Sequence, residues 1–109
     1  MSKPTDLVQG TLDLLILKVL ALEPMHGWAI AQRIRQMSSD VLLVGQSALY
    51  PALHKLERQG WIKSQWKTSE TNRRARYYSL TAAGRKAVAQ EAANWERLSA
   101  AISAIVRAT

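Results

Sequence analysis

The side chains best suited to chemistry lie in residues 46–81, QSALYPALHKLERQGWIKSQWKTSETNRRARYYSLT. Groups that hydrogen-bond to base edges or to phosphate oxygens recur along this segment. Its first half holds Gln46, Ser47, Tyr50, His54, Lys55 and Arg58, and its second half holds Asn72, Arg73 and Arg74. The chemistry that these residues favour is recognition of a nucleic acid.

Each group has an expected role and an alternative. Gln46, Ser47 and His54 suit base edges, and Tyr50, Lys55 and Arg58 suit phosphate oxygens. The arginines at 73 and 74 suit a narrow minor groove or the backbone phosphates beside it. Tyr50 can instead pack against the neighbouring strands. His54 can be a solvated helix residue, and Arg58 can pair with a nearby acid.

Positive charge is concentrated in one part of this segment. The whole chain of 109 residues has a formal net charge of +7. Residues 61–80 hold five Lys/Arg and one Glu, whereas residues 1–60 hold six Lys/Arg and five Asp/Glu. A basic stretch of this kind is typical of a nucleic-acid contact, although a solvated basic face is the alternative.

Other functional classes find little support in the sequence. The chain has no cysteine and only two histidines, so no thiolate metal site or catalytic constellation is expected, and no cofactor is predicted. The N-terminus lacks the apolar stretch of a signal peptide. The apolar run at 14–22 is interrupted by Lys18 and is too short to span a bilayer, which favours a cytoplasmic protein without membrane contact.

Three short helices are predicted within the first 60 residues of the chain. The first has an apolar face spaced as in a buried helix (Leu12, Leu15, Ile16, Val19 and Leu20), with Thr11 as N-cap and Pro24 after its end. The second covers roughly 27–37, with Trp28, Ile30, Ala31 and Ile34 facing inward. The third runs from near Ser47 to Gly60, with Leu49, Leu53 and Leu56 inward and Ser47, Pro51, His54 and Arg58 outward.

A two-stranded ribbon follows the third helix. Residues 61–67 alternate loosely between apolar and polar, residues 68–74 are turn-like, and residues 75–80 return as the second strand. The predicted fold is mainly α with a small β-hairpin (α+β). Residues 1–80 form a winged helix-turn-helix DNA-binding domain, and residues 81–109 form a C-terminal dimerisation helix within the same compact unit.

The last helix is predicted over residues 82–107, which is about 39 Å and longer than so small a domain. Val88, Trp95 and Ile102 are spaced by seven, and Leu98 and Ile105 fill the second position of the repeat, with Glu91 as the break. This apolar stripe favours dimerisation through the last and first helices. The alternative is that the helix packs back onto its own domain.

Three strings closely resemble the PadR family of bacterial transcriptional regulators, LVQGTLDLLILKVLALEPMHGWAIAQRI, SALYPALHKLERQGWI and NRRARYYSLTAAGR. The resemblance covers roughly residues 7–105 and is closest to the small subfamily with one helix after the wing. It implies a homodimeric winged-helix repressor. Asn72 stands where the family usually has Gly, but Asn also tolerates positive φ, so the turn is expected to survive.

The resemblance also implies a role for Trp95, since PadR-like proteins that bind drugs stack flat aromatic ligands on a tryptophan of this helix. Ordinary interface core is the alternative. The sequence therefore predicts a sequence-specific homodimeric repressor that binds an inverted repeat in double-stranded DNA and is released by a small planar aromatic effector. The alternative is a winged-helix module that binds protein instead, and an enzyme is the least favoured class.

Overall fold

The computed structural model describes residues 9–68 and 70–108 of the chain. Four helices and three strands follow one another in the order α1 (Gln9–Leu22), β1 (Met25–His26), α2 (Gly27–Met37), α3 (Gln46–Arg58), β2 (Ile62–Thr68), β3 (Arg74–Leu80) and α4 (Ala82–Val106). The prediction about a signal peptide falls on residues 1–8, outside the described part. No helix within the described part is long and apolar enough to cross a membrane.

α1 and α2 lie where the sequence predicts them, but the predicted N-cap of α1 and the predicted inner face of α2 each need a correction. α1 begins at Gln9 and includes Thr11, so Thr11 is not its N-cap. α2 is capped by His26, whose Nδ1 accepts a hydrogen bond from the Ala29 amide at 3.2 Å. Trp28 was expected to face inward but is 61% exposed. The reason is angular, because Trp28 lies about 200° around the helix from the buried Ile30.

The strands form one antiparallel sheet in the order β1-β3-β2. Lys63 pairs with Ser79, Ser64 with Tyr78 and Trp66 with Arg76. The third strand, β1, was not predicted, since two residues are too short to show an alternating pattern. Asn72 adopts φ 61° in the turn between β2 and β3, which confirms that this residue accepts the positive φ the turn requires.

The core lies around α1, which packs against α2, α3, β3 and α4. Ile16 and Leu17 of α1 are fully buried, and Leu49, Leu53 and Leu56 of α3 are buried beside them, as the helical period predicted. α4 approaches this core closely at its start. A Cβ on Gly84 would lie only 1.9 Å from the carbonyl oxygen of Trp61, so only glycine fits there.

α4 is divided into a packed and an exposed part. Thr81 caps it by accepting from the Gly84 amide at 3.0 Å, and Val88 is buried in the core at 8% exposure. Val88 was predicted to lie in the dimer seam, and its burial within its own domain corrects that. Beyond Val88, the large apolar residues of α4 are 47–76% exposed, among them Trp95, Leu98, Ile102 and Ile105. The longest dimension of the molecule is 56 Å. The outer half of α4 (residues 95–106) therefore carries an exposed apolar stripe.

Candidate nucleic-acid interface

The outward side of α3 is polar and open to solvent. Gln46, Ser47, Pro51, His54 and Arg58 are all exposed, while the leucines on the other side are buried. The ion pairs among the described residues do not include Arg58, so the alternative of a pair with a neighbouring acid finds no support. This side of α3 carries hydrogen-bonding groups and one cation at the spacing of successive helical turns.

Lys55 does not belong to that outward side. Its ammonium group pairs with the carboxylate Oδ2 of Asp13 in α1, and the side chains of Lys55 and Asp13 are only 26% and 15% exposed. The other carboxylate oxygen, Oδ1, is buried without a hydrogen-bond partner in the described residues. Lys55 was predicted to contact phosphate, but its ion pair with Asp13 links α3 to α1 instead.

Tyr50 lies on the flank of α3 that meets the start of α2. A Cβ on Gly27 would lie 2.9 Å from the Tyr50 hydroxyl oxygen, so glycine is needed for the phenol ring to approach α2 this closely. Tyr50 as a whole is 37% exposed. Tyr50 thus has a packing role against α2, while more than a third of its surface stays open to solvent.

The wing, which comprises β2, β3 and the turn between them (residues 62–80), is fastened to α3 by side chains. Arg76 Nε donates to Ser64 Oγ at 2.8 Å, and Arg76 Nη2 lies 3.3 Å from Glu57 Oε1. The Ser64 hydroxyl in turn donates to Glu57 Oε2 at 2.7 Å. This three-residue brace (Glu57, Ser64 and Arg76) fixes the wing beside α3 and was not predicted from sequence.

The face of the wing that carries the brace is the one turned toward α3. Cross-strand partners share a face, so Ser64 and Trp66 of β2 lie on the same side as Tyr78 and Arg76 of β3. Tyr78 is buried there. Burial raises the pKa of its phenol, and the nearby charge of Arg76 opposes that rise.

The tip of the wing is exposed and basic. Asn72, Arg73 and Arg74 are all exposed, and the Arg74 guanidinium lies 5.5 Å from the centre of the Trp66 ring. On the other face of the ribbon, the Lys67 ammonium lies 5.5 Å from the centre of the Tyr77 ring. One basic side chain thus lies against an aromatic ring on each face of the wing.

The arrangement is a helix with an exposed polar side and a braced basic ribbon next to it. The sequence profile of the Transcriptional regulator PadR-like family matches residues 16–90, which include α2, α3 and the whole wing. The chain belongs to the PadR-like family. The winged-helix fold and the resemblance drawn from the sequence are thereby confirmed.

Relatives of known structure share this fold over nearly the whole PadR-like chain. A transcriptional regulator from Clostridium thermocellum is 31% identical, with a TM-score of 0.82 over 91% of this chain and 93% of the other. A PadR-like transcription factor from Bacteroides fragilis is 27% identical, with a TM-score of 0.72 over 89% of this chain and 91% of the other.

The chain also resembles part of a longer protein in sequence. An uncharacterised 37.1 kDa transposon protein of Streptomyces fradiae is 38% identical over 80% of this chain, which spans only 24% of that relative.

Membership of this family implies regulation of transcription through DNA binding, and the regulators of the family are not enzymes. No group of three or more potential metal ligands occurs in the part of the PadR-like chain that the structure describes. The nucleic-acid contacts expected at α3 and at the wing tip lie on elements that the brace holds side by side. Trp95 lies apart from them, on the outer half of α4.

Proposed function

We propose that this protein is a homodimeric transcriptional repressor that reads an inverted repeat in double-stranded DNA. The observation that carries the proposal is the exposed outward side of α3, fixed by the Glu57–Ser64–Arg76 brace beside a basic wing tip. An α-helix fits the major groove, which is about 12 Å wide, and its polar side chains can reach base edges there. Arginines at the tip of the wing suit the adjacent minor groove or its phosphates.

Within this proposal, Gln46, Ser47 and His54 read bases, whereas Tyr50, Arg58, Asn72, Arg73 and Arg74 contact the backbone or the minor groove. Lys55 takes no part because its ammonium is paired with Asp13. Positions on the outward side of α3 then determine sequence preference, and positions in the wing contribute affinity that depends on salt.

Dimerisation is proposed through the outer half of α4. Trp95, Leu98, Ile102 and Ile105 form an exposed apolar stripe. Exposed apolar surface of this kind is stabilised when a partner covers it. A second copy of α4, packed by the same stripe around a two-fold axis, presents two α3 helices to successive major grooves about 34–36 Å apart.

Electrophoretic gel-shift titration against genomic fragments at physiological salt tests DNA binding directly. We expect a small set of fragments to shift at protein concentrations well below those that shift bulk DNA. A winged-helix module that binds only protein would shift no preferred fragment, and that result would contradict the proposal.

The proposed effector is a small planar aromatic compound that stacks on Trp95. Trp95 is 47% exposed on α4, next to the apolar residues of the dimer stripe. A variant with Trp28, Trp61 and Trp66 changed to Phe leaves Trp95 as the one tryptophan of the chain. Saturable quenching of its fluorescence by a planar aromatic compound is expected in this variant, and release of DNA by the same compound is expected in the wild-type protein. Absence of quenching across a broad panel of such compounds would leave Trp95 as interface core.

A further inference from the structure

A cleft separates α3 from the wing and is lined largely by aromatic side chains. Its volume is about 390 Å³. Trp28 comes from the start of α2, Tyr50 and His54 come from α3, and Trp66 and Arg76 come from the wing. Three elements that are distant in sequence therefore supply its walls, and we name it the α3–wing cleft.

The chemistry of the cleft suits an anion with apolar parts. Indole, imidazole, phenol and guanidinium groups all donate hydrogen bonds, and no described residue that lines the cleft has a carboxylate. Two other concavities of the molecule differ in this respect. Glu23 and Glu70 line one of them, and Asp13 and Glu91 line the other.

Both tryptophans of the cleft are large apolar side chains that lie mostly open to solvent. Trp28 is 61% exposed and Trp66 is 58% exposed. The Arg74 guanidinium lies against the Trp66 ring, and Arg76 is held by Glu57 and Ser64. Contacts within the chain thus restrain the wing side of the cleft before any ligand binds, which reduces the entropic cost of binding there.

The position of the cleft identifies its occupant. If α3 enters a major groove and the wing tip enters the adjacent minor groove, the sugar–phosphate strand that divides these grooves must pass between α3 and the wing. We propose that the α3–wing cleft holds one sugar–phosphate segment of each half-site. The indole N–H groups of Trp28 and Trp66 hydrogen-bond to its phosphate oxygens, and the indole rings pack against its deoxyribose.

This inference rests on the proposed DNA-binding function and adds residues to it. Trp28 and Trp66 supply contacts that carry no sequence information but set the angle of the protein on the duplex. Because Trp28 belongs to α2 and Trp66 to the wing, one sugar–phosphate segment would be contacted by both elements at once beside α3.

Methylphosphonate scanning tests the inference. Single phosphates in a duplex that the wild-type protein binds are replaced by uncharged methylphosphonates, and dissociation constants are measured by fluorescence anisotropy. For the wild type we expect one position per half-site, between the major-groove and minor-groove contacts, at which the replacement weakens binding about tenfold, as for removal of a charge-assisted hydrogen bond. In a Trp28→Phe/Trp66→Phe variant, which keeps aromatic rings but lacks both N–H donors, that position should no longer differ from its neighbours.

The control is Trp61→Phe, because Trp61 lines the concavity with Asp13 and Glu91 and lies outside the α3–wing cleft. It should keep the wild-type scanning pattern, and thermal melting checks that all variants fold. An identical pattern in the wild type and in the double variant would overturn the inference while leaving the proposed function intact. A wild-type protein that binds no duplex would overturn both.

Discussion

The wing and the outer half of α4 are both surfaces beyond the hydrophobic core, but their chemistry and support differ. The wing is charged, and its own chain fixes it through Glu57, Ser64 and Arg76. The outer half of α4 is apolar, and Leu98, Ile102 and Ile105 are exposed on it. The difference indicates two kinds of partner. Binding at the wing should depend on salt, whereas association through α4 should depend on protein concentration.

The largest effect is expected from a charge placed in the α4 stripe. Ile102→Glu should convert the proposed dimer into a monomer, because a carboxylate in an apolar interface would have to be desolvated. Since a monomer engages only one half-site at a time, DNA binding should weaken about 10²- to 10⁴-fold. Sedimentation velocity measures the first effect and gel shift the second.

Ala100→Glu is the matched control for that substitution. Ala100 is exposed and lies about 200° around α4 from Ile102, on the opposite side from the stripe. This variant should remain dimeric and bind DNA like the wild type. If Ile102→Glu also stayed dimeric at micromolar concentration, the role given to α4 would be wrong.

The wing is tested by removing its tip charges. Arg73→Ala/Arg74→Ala should weaken binding to all duplexes and lower the slope of log K against log salt by about 0.9 for each phosphate that the variant no longer neutralises. The dimer should be unaffected. Arg85→Ala/Lys86→Ala removes the same charge from exposed positions at the start of α4 and should change that slope much less. Equal changes in the two variants would show that only net charge matters.

Lys55 and Arg58 are two cations of α3 with different expected roles. Lys55 should stabilise the fold, and Arg58 should contact DNA. Lys55→Met leaves the Asp13 carboxylate poorly exposed and without its ion pair, so the free energy of unfolding should fall by about 2–3 kcal/mol. Arg58→Met removes an exposed charge and should change stability by less than about 0.5 kcal/mol while weakening DNA binding. Urea denaturation and anisotropy titration measure the two quantities. The opposite pattern would return Lys55 to the DNA-binding surface.

The smallest effect is expected at the brace. Glu57→Gln keeps the shape of the side chain but removes its charge, and because Arg76 and Glu57 are both partly exposed the free energy of unfolding should fall by no more than about 1 kcal/mol. The wing should nevertheless loosen locally. Faster amide hydrogen exchange in β2 and β3, with unchanged exchange in α1, is the expected result. Unchanged exchange in the strands would mean that the brace does not hold the wing.

The sequence predicted the features that depend on periodicity. The buried leucines of α3, the four helices and the ribbon all follow from local patterns. The positive φ of Asn72 was expected from the family resemblance, because the family usually has Gly at that position. Contacts between residues that are distant in the chain could not be predicted from local sequence patterns. Asp13 is 42 positions from Lys55, so nothing local showed that this lysine faces α1. Val88 continues the heptad spacing of the stripe, but the approach of α4 to α1 buries it.

Only part of the candidate site could be predicted from the sequence. The exposed positions of α3 and the arginines of the wing tip follow from angle and charge. The α3–wing cleft does not, because its tryptophans come from α2 and β2 and meet only in the folded chain. Trp28 was assigned to the inner face of α2, although its angle on the helix opposes that of Ile30.

Selection from a random duplex library tests the central claim most directly. The purified protein is incubated with duplexes that contain a randomised segment, and bound molecules are amplified and sequenced over several rounds. A two-fold dimer that reads DNA through α3 predicts enrichment of an inverted repeat whose half-site centres lie about 10–10.5 base pairs apart, or a multiple of that spacing. Enrichment of a single unrepeated motif, or of no sequence, would contradict the account.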